Sequence, residues 1–147
     1  MKNYIINDKT ILLKPLDINK TEVLEINKTY IVEKKAINII KKSCEYYGST
    51  YLGRHEATKI LLNKYYKSPI IVEESKNIIF FPTKSPRLED CIWISLNNLE
   101  NYEKKDNYTI LKMKNNKKID INITYNSFNN MYLNALKLES ILIKRKN

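Results

Sequence analysis

The chain contains few residues that cross-link a backbone or ligate a metal. Its 147 residues include two cysteines, Cys44 and Cys91, and one histidine, His55. Neither cysteine has a second cysteine or a histidine nearby at metal-ligand spacing, so a metal cluster would need ligands from distant segments. Free cysteine behaves as a small apolar residue. We therefore expect two buried, reduced thiols, no metal and no cofactor.

Long apolar runs are also missing. The amino terminus, residues 1–8, lacks the apolar stretch of a secretory signal, and no segment approaches the roughly 20 apolar residues of a membrane span. We expect a cytoplasmic protein that does not contact a membrane.

Motifs of catalysis are absent as well. Gly48 and Gly53, the only glycines, have the separation found in a phosphate-binding loop, but Arg54 and His55 stand where that loop needs lysine followed by serine or threonine. Ser49 lacks the second glycine of a nucleophile elbow. We therefore expect no enzymatic activity.

Positive charge is what the chain has in excess. Lysine and arginine number 26 against 16 aspartate and glutamate residues, which leaves a formal charge of +10. Such an excess attracts phosphate backbones or anionic lipid. A solvated basic surface is the alternative, because an AT-rich genome also enriches lysine, asparagine and isoleucine.

The apolar pattern predicts an α+β fold in a single domain, residues 1–147. We expect a mainly antiparallel sheet built from hairpins, two central helical segments and a C-terminal helix. Gly48 should end the first helix in the left-handed conformation. Predicted strands are 4–6, 10–13, 23–26, 29–32, 70–72, 78–81, 91–95, 108–113 and 119–123, and predicted helices are 35–46, 54–62 and one capped by Asn126 or Ser127.

The amphipathic patterns of two helices predict which residues face the core. The second helix should turn Ala57, Ile60 and Leu61 inward and leave Arg54, His55, Lys59 and Lys64 on its other faces. In the C-terminal helix the predicted apolar stripe is Phe128, Met131, Ala135, Leu138 and Leu142.

Several separate segments resemble the ComK family of competence transcription factors from low-GC Gram-positive bacteria. They match in order over roughly residues 40–138: Ser43 to Arg54, Lys67 to Val72, Ile79 to Thr83, Cys91 to Ser95, and Ile123 to Asn130. The resemblance implies a DNA-binding activator of DNA-uptake genes that recognises paired AT-rich boxes in double-stranded DNA through the minor groove. It also implies a homo-oligomer, RNA polymerase as a partner of an activator, and control through the adaptor of a Clp protease.

Candidate DNA contacts follow from the chemistry of the minor groove. An AT tract narrows that groove and deepens its negative potential, which favours an inserted arginine. Arg54 is the first candidate, because Gly53 would let the backbone approach closely, and Arg87 is the second, in an exposed loop that also holds Lys84. Lys59, Lys64 and Lys67 are expected to contact phosphates, which position a protein without specifying sequence.

Two departures from the family pattern leave an alternative open. Longer members continue into a tail beyond the final helix, and Leu133 stands where an arginine is common in the family. The alternative function is a truncated, ComK-like modulator that pairs with a full-length relative or with its protease adaptor. RNA binding is a third option, because exposed aromatic residues can stack on unpaired bases.

Overall fold

The computed structural model describes residues 1–63 and 67–146, and it confirms the predicted α+β class. Within these residues the chain forms nine strands and three helices. The strands are β1 (Thr10–Asp17), β2 (Lys20–Glu25), β3 (Thr29–Val32), β4 (Ile70–Glu73), β5 (Ile78–Pro82), β6 (Trp93–Ser95), β7 (Leu99–Lys105), β8 (Tyr108–Met113) and β9 (Lys118–Ile121), and the helices are α1 (Ala36–Tyr46), α2 (Tyr51–Leu62) and α3 (Tyr125–Lys146).

Six strands form an antiparallel central sheet in the order β3-β2-β1-β6-β5-β4. Hairpins join β1 to β2, β2 to β3, and β4 to β5. The apolar runs and polar turns predict the second and third of these hairpins, whereas the β1–β2 hairpin was not predicted. The pairing of β1 with β6 closes the middle of the sheet and places Leu13 opposite Trp93. Since successive side chains in a strand point to opposite faces, both faces of this sheet can carry an apolar core.

The first face of the central sheet, which we call the α1 face, is covered by α1. Leu13, Val23, Phe80 and Trp93 belong to its core cluster, together with Ile39 of α1. Cys44 and Cys91 are buried in the same cluster, so the prediction of two buried free thiols is confirmed.

The opposite face, which we call the α3 face, is covered by α3 and by a second antiparallel sheet, β7-β8-β9. All five residues of the predicted apolar stripe of α3 are buried. Phe128 lies at the centre of this core, with its ring 5.7 Å from that of Phe81 and 4.9 Å from that of Tyr102.

Gly48 ends α1 as predicted. Its φ of +87° lies in the left-handed region, and the amides of Gly48 and Ser49 donate to the carbonyls of Glu45 and Cys44 at 3.0 Å each. These two hydrogen bonds form the Schellman motif that satisfies the last carbonyls of a helix. Gly48 therefore allows the chain to leave α1 and begin α2 three residues later.

Gly53 does not form a turn. It lies in the first turn of α2, which begins at Tyr51 and not at Arg54, and its amide donates to the Thr50 hydroxyl at 2.9 Å. A Cβ on Gly53 would lie only 3.0 Å from that hydroxyl oxygen. The glycine therefore makes room for the Thr50 N-cap, a role that differs from the predicted close approach of the backbone to a ligand.

Three further predictions are wrong. Residues 4–6 are not a strand: Tyr4 and Ile6 pack in the core, and the Ile6 amide donates to the Ser43 hydroxyl at 2.9 Å. Neither Asn126 nor Ser127 caps α3, because both lie inside the helix. The Ser127 amide instead donates a hydrogen bond to the Thr124 hydroxyl at 3.3 Å. Finally, Ile60 faces solvent, because the inner face of α2 is formed by Thr58 and Leu62.

Candidate nucleic-acid interface

A cleft of about 600 Å³ opens beside the central sheet, and we call it the cationic cleft. Its walls come from the β1–β2 hairpin, the first turns of α1 and α2, the segment before β4, and the loop between β5 and β6. The positively charged residues that line it are Lys35, Lys41, Lys67 and Arg87, and the negatively charged ones are Asp17 and Glu89. The local balance is therefore positive, which favours an anionic partner.

The floor of the cationic cleft adds no negative charge near neutral pH. Tyr51 packs edge-on against the fully buried Trp93, with 6.5 Å between ring centroids. Burial raises the pKa of the Tyr51 phenol to about 12, and burial also raises the pKa of the Cys91 thiol. Both groups stay neutral, so they do not oppose the positive charges above them.

The N-terminal turn of α2 forms an aromatic wall. The Thr50 cap fixes the start of the helix, and from there Tyr51 and His55 lie one turn apart and stack with 6.0 Å between ring centroids. The Lys41 ammonium lies 5.9 Å from the Tyr51 centroid, within the range of a cation–π interaction. This wall therefore combines π surface with positive charge.

The loop between β5 and β6 brings Arg87 to the cationic cleft. Thr83 anchors the base of this loop by exchanging hydrogen bonds with Ile92 at 2.9 and 3.0 Å. Lys84 forms an ion pair with Asp90, and this hydrogen bond lowers the pKa of the Asp90 carboxyl. Arg87 lies exposed between these two residues, so the loop holds a guanidinium at the rim.

The structure brings two of the six predicted contact residues together, Arg87 and Lys67, which both line the cleft. Lys84 lies at the base of the same loop. Lys59 lies on α2 with its ammonium 3.7 Å from Glu56. Lys64 lies outside the described residues.

Arg54 does not line the cationic cleft. Its side chain is half-buried, and its Nε is enclosed without a hydrogen-bond partner in the described part of the chain. Burial raises the pKa of the Cys44 thiol to about 11, while the Arg54 charge acts in the opposite direction. Arg54 is therefore not the exposed groove contact that the sequence predicts, because part of its guanidinium is enclosed by the fold.

Two lining residues, Lys35 and Lys41, were missed by sequence reasoning. Both are exposed, Lys35 at the N-cap of α1 and Lys41 within the helix, outside the apolar stripe that contains Ile39 and Ile40. That pattern predicts that both lysines face solvent. It predicts the same for Lys42, which is exposed but does not line the cleft. Only the packing of α1 against the β1–β2 hairpin and α2 separates the lysines that line the cleft from those that do not.

The described residues form neither a metal-binding cluster nor a membrane-spanning helix. Within 1–63 and 67–146, no three histidine, cysteine, aspartate or glutamate side chains are arranged to hold a metal ion. None of the described helices has the length and apolarity required to cross a membrane.

Comparison with known proteins extends over the whole of this site. The family model for the ComK protein matches residues 1–147. The chain is 31% identical over 134 residues to the competence transcription factor of Bacillus subtilis (strain 168), which covers 88% of this chain and 70% of that protein. No solved structure gives a significant match. All elements that build the cationic cleft lie within the matched residues.

Proposed function

We propose a function from the premise that this chain belongs to the ComK family and is a regulator of transcription in competence. A transcription factor is not a class of enzyme. The proposed activity is binding of double-stranded, AT-rich DNA by a single domain that spans residues 1–147, with the cationic cleft as the DNA-binding surface. One observation carries this proposal: four basic side chains from separate segments of the chain line the same cleft.

The lysines of the cleft are proposed to contact phosphates. Lys35, Lys41 and Lys67 approach the cleft from α1 and from the segment before β4, so they can follow a backbone that curves past the opening. Each phosphate that a protein neutralises releases counterions, and this makes binding depend on salt. These contacts position the duplex and carry no direct information about its sequence.

Arg87 is proposed to enter the minor groove. It is exposed at the rim, on a loop whose base is held by Thr83 and by the ion pair of Lys84 with Asp90. A narrow A·T groove attracts a guanidinium more strongly than a wide G·C groove does. Arg54 ranks second, because its enclosed Nε leaves less of the guanidinium able to reach a duplex.

Pairs of boxes would require more than one copy of the chain on a DNA site. A closed symmetric assembly repeats one contact surface at a fixed spacing, so the proposal includes a homo-oligomer. RNA polymerase and the adaptor of a Clp protease are proposed partners of the regulator, and both come from the family resemblance.

Gel-shift titration of Arg87→Ala tests the DNA-binding proposal, with Arg145→Ala as the matched control. Arg145 is an exposed arginine near the end of α3, where it does not line the cleft. We expect Arg87→Ala to weaken binding to an AT-box duplex about tenfold or more and to reduce the preference over a GC-rich duplex. The proposal would be contradicted if Arg87→Ala bound the AT-box duplex as tightly as Arg145→Ala and the unchanged protein do, with the same preference over the GC-rich duplex.

The exposed apolar residues Leu52 and Ile60 of α2 favour the second candidate function. A modulator that pairs with a full-length relative, or with its protease adaptor, needs such a surface for protein contact. This function predicts little binding to AT-box DNA by the isolated chain, together with a change in gel mobility when the full-length relative is added. The same gel-shift series therefore separates the two functions.

A further inference from the structure

The cationic cleft is a pocket as well as a concentration of positive charge. Its volume of about 600 Å³ lies within the range of sites that enclose a small ligand. Apolar side chains line it together with the basic ones, among them Ile37, Leu88 and Trp93. A DNA duplex uses the positive charges of such a site, because it meets a protein mainly through its phosphates and sugars. The apolar lining fits a ligand that brings an aromatic part as well as negative charge.

Two large apolar side chains of the cleft remain exposed to water. Ile18, in the turn between β1 and β2, is 47% exposed, and Leu88, in the loop between β5 and β6, is 52% exposed. The backbone of Leu88 is fixed on both sides, since its amide donates to the Ser85 carbonyl at 3.0 Å and its carbonyl accepts from the Cys91 amide at 3.3 Å. A planar base in the cleft would remove both side chains from water, and the aromatic wall of α2 adds π surface on which a base can stack.

The two carboxylates of the cleft favour a sugar with free hydroxyls. Asp17 and Glu89 line the cleft beside the basic residues. The Asp17 carboxylate is held at the end of β1, where it accepts from the Asn19 amide at 2.8 Å. A carboxylate repels phosphate, but it accepts hydrogen bonds from ribose hydroxyls, as in dinucleotide-binding proteins. The sugars within a DNA strand have no free hydroxyl to donate, so a duplex leaves these acceptors unused.

We infer that the cationic cleft binds a free ribonucleoside triphosphate. The basic side chains attract its phosphates, the exposed apolar side chains and the aromatic wall cover its base, and the Asp17 carboxylate accepts hydrogen bonds from its ribose. The chain lacks the lysine and the hydroxyl that a phosphate-binding loop places on the terminal phosphates and on magnesium. The nucleotide is therefore a ligand of this chain and not a substrate.

A nucleotide in the cleft prevents DNA from using the same basic side chains. This part of the inference rests on the proposed function, because both ligands need Lys35, Lys41 and Arg87. A ligand that binds only the DNA-free chain shifts the equilibrium away from the DNA complex by mass action. The nucleotide is thus a negative effector of DNA binding, and its affinity is measurable without DNA.

Isothermal titration calorimetry without DNA, in EDTA, is the first test. The ligands are ATP and GTP, their dideoxy analogues, which lack both free ribose hydroxyls, and tripolyphosphate, which has neither base nor sugar. We expect ATP or GTP to bind about tenfold or more tightly than its dideoxy analogue and than tripolyphosphate, because only the ribonucleotide makes all three kinds of contact. Equal affinities for all ligands, or no binding of ATP and GTP at millimolar concentration, would overturn the inference.

Asp17→Asn tests the contact with the ribose. The asparagine keeps an oxygen that can accept from the Asn19 amide, so the turn is preserved. We expect the preference for the ribonucleotide over its dideoxy analogue to fall about fivefold, because a charge-assisted hydrogen bond is lost while the two ligands carry the same charge. Asp120→Asn is the matched control, exposed on β9 and outside the cleft, and should keep the preference. An unchanged preference in Asp17→Asn would contradict this contact.

Gel-shift competition on the AT-box duplex separates the inference from the proposed function. We expect the ribonucleotide to release the duplex at concentrations where tripolyphosphate, at the same ionic strength, releases little of it. A ribonucleotide that binds in calorimetry without releasing the duplex would overturn the shared use of the cleft. A chain that binds the ribonucleotide but no duplex would contradict the proposed function alone and would support the nucleotide site.

Discussion

The two faces of the central sheet are covered differently. On the α3 face, a helix of 22 residues and a second sheet enclose one continuous apolar core. On the α1 face, a helix of 11 residues covers the core, and the cationic cleft stays open beside Trp93. The same six strands therefore carry a core that is enclosed on the α3 face, and a core with an open cationic cleft beside it on the α1 face. Stability should depend more on the first side, and DNA binding on the second.

Removing a central ring from the α3 face should have the largest effect on stability. Phe128 is fully buried between Phe81 and Tyr102, and replacing such a ring by alanine costs about 3–5 kcal/mol of unfolding free energy. Urea unfolding of Phe128→Ala, followed by the fluorescence of Trp93, measures this loss. Tyr46→Ala is the control: Tyr46 is exposed, and we expect a loss of about 1 kcal/mol or less. Similar losses for both variants would contradict the central place of Phe128 in the core of the α3 face.

Neighbouring lysines of α1 should differ in their effect on DNA binding. Lys41 lines the cationic cleft, whereas Lys42 does not and lies 3.7 Å from Glu45. If Lys41 contacts one phosphate, Lys41→Gln should reduce the slope of log K against log salt by about 0.9. Lys42→Gln should leave the slope unchanged, and both variants should keep the stability of the unchanged protein. A reduced slope for Lys42→Gln alone would place the DNA on another surface.

The smallest expected effect is a gain in stability on the α1/α2 side. Thr58→Val keeps the shape of the side chain and removes a buried hydroxyl that has no partner among the described residues. Burying an unpaired hydroxyl is unfavourable, so we expect the unfolding free energy to rise by about 0–1 kcal/mol. The same urea series measures it. A loss of more than about 1 kcal/mol would mean that the hydroxyl makes a stabilising contact.

Local pattern was sufficient to predict most of the fold. The period of the α3 stripe, the apolar runs of β4 and β5, and Gly48 at the end of α1 each specify one element through neighbours in sequence. Strand β7 (Leu99–Lys105) was missed because Leu99 is its only buried residue, so no alternation of apolar and polar residues marks it. The strand predicted at residues 4–6 was wrong because alternating apolar residues can also insert into a core without joining a sheet.

The candidate site was predictable only in part. Arg87 could be placed in an exposed loop from Pro86 and the surrounding charges, and the structure brings it to the cleft. The orientation of α2 could not be predicted, because it depends on how Leu62 packs against the rest of the core, and Ile60 was therefore assigned to the wrong face. Which lysines line the cleft depends on contacts between distant segments, which a single sequence does not display.

Lysine acetylation with and without an AT-box duplex, read by mass spectrometry, tests the central claim most directly. Lys35 and Lys41 line the cationic cleft, whereas Lys42 and Lys118 are exposed elsewhere. The account predicts that the duplex protects Lys35 and Lys41 and leaves Lys42 and Lys118 as reactive as in the free protein. Protection of Lys118 or Lys42 with unchanged reactivity of Lys35 and Lys41 would contradict the assignment of the cleft as the DNA-binding surface.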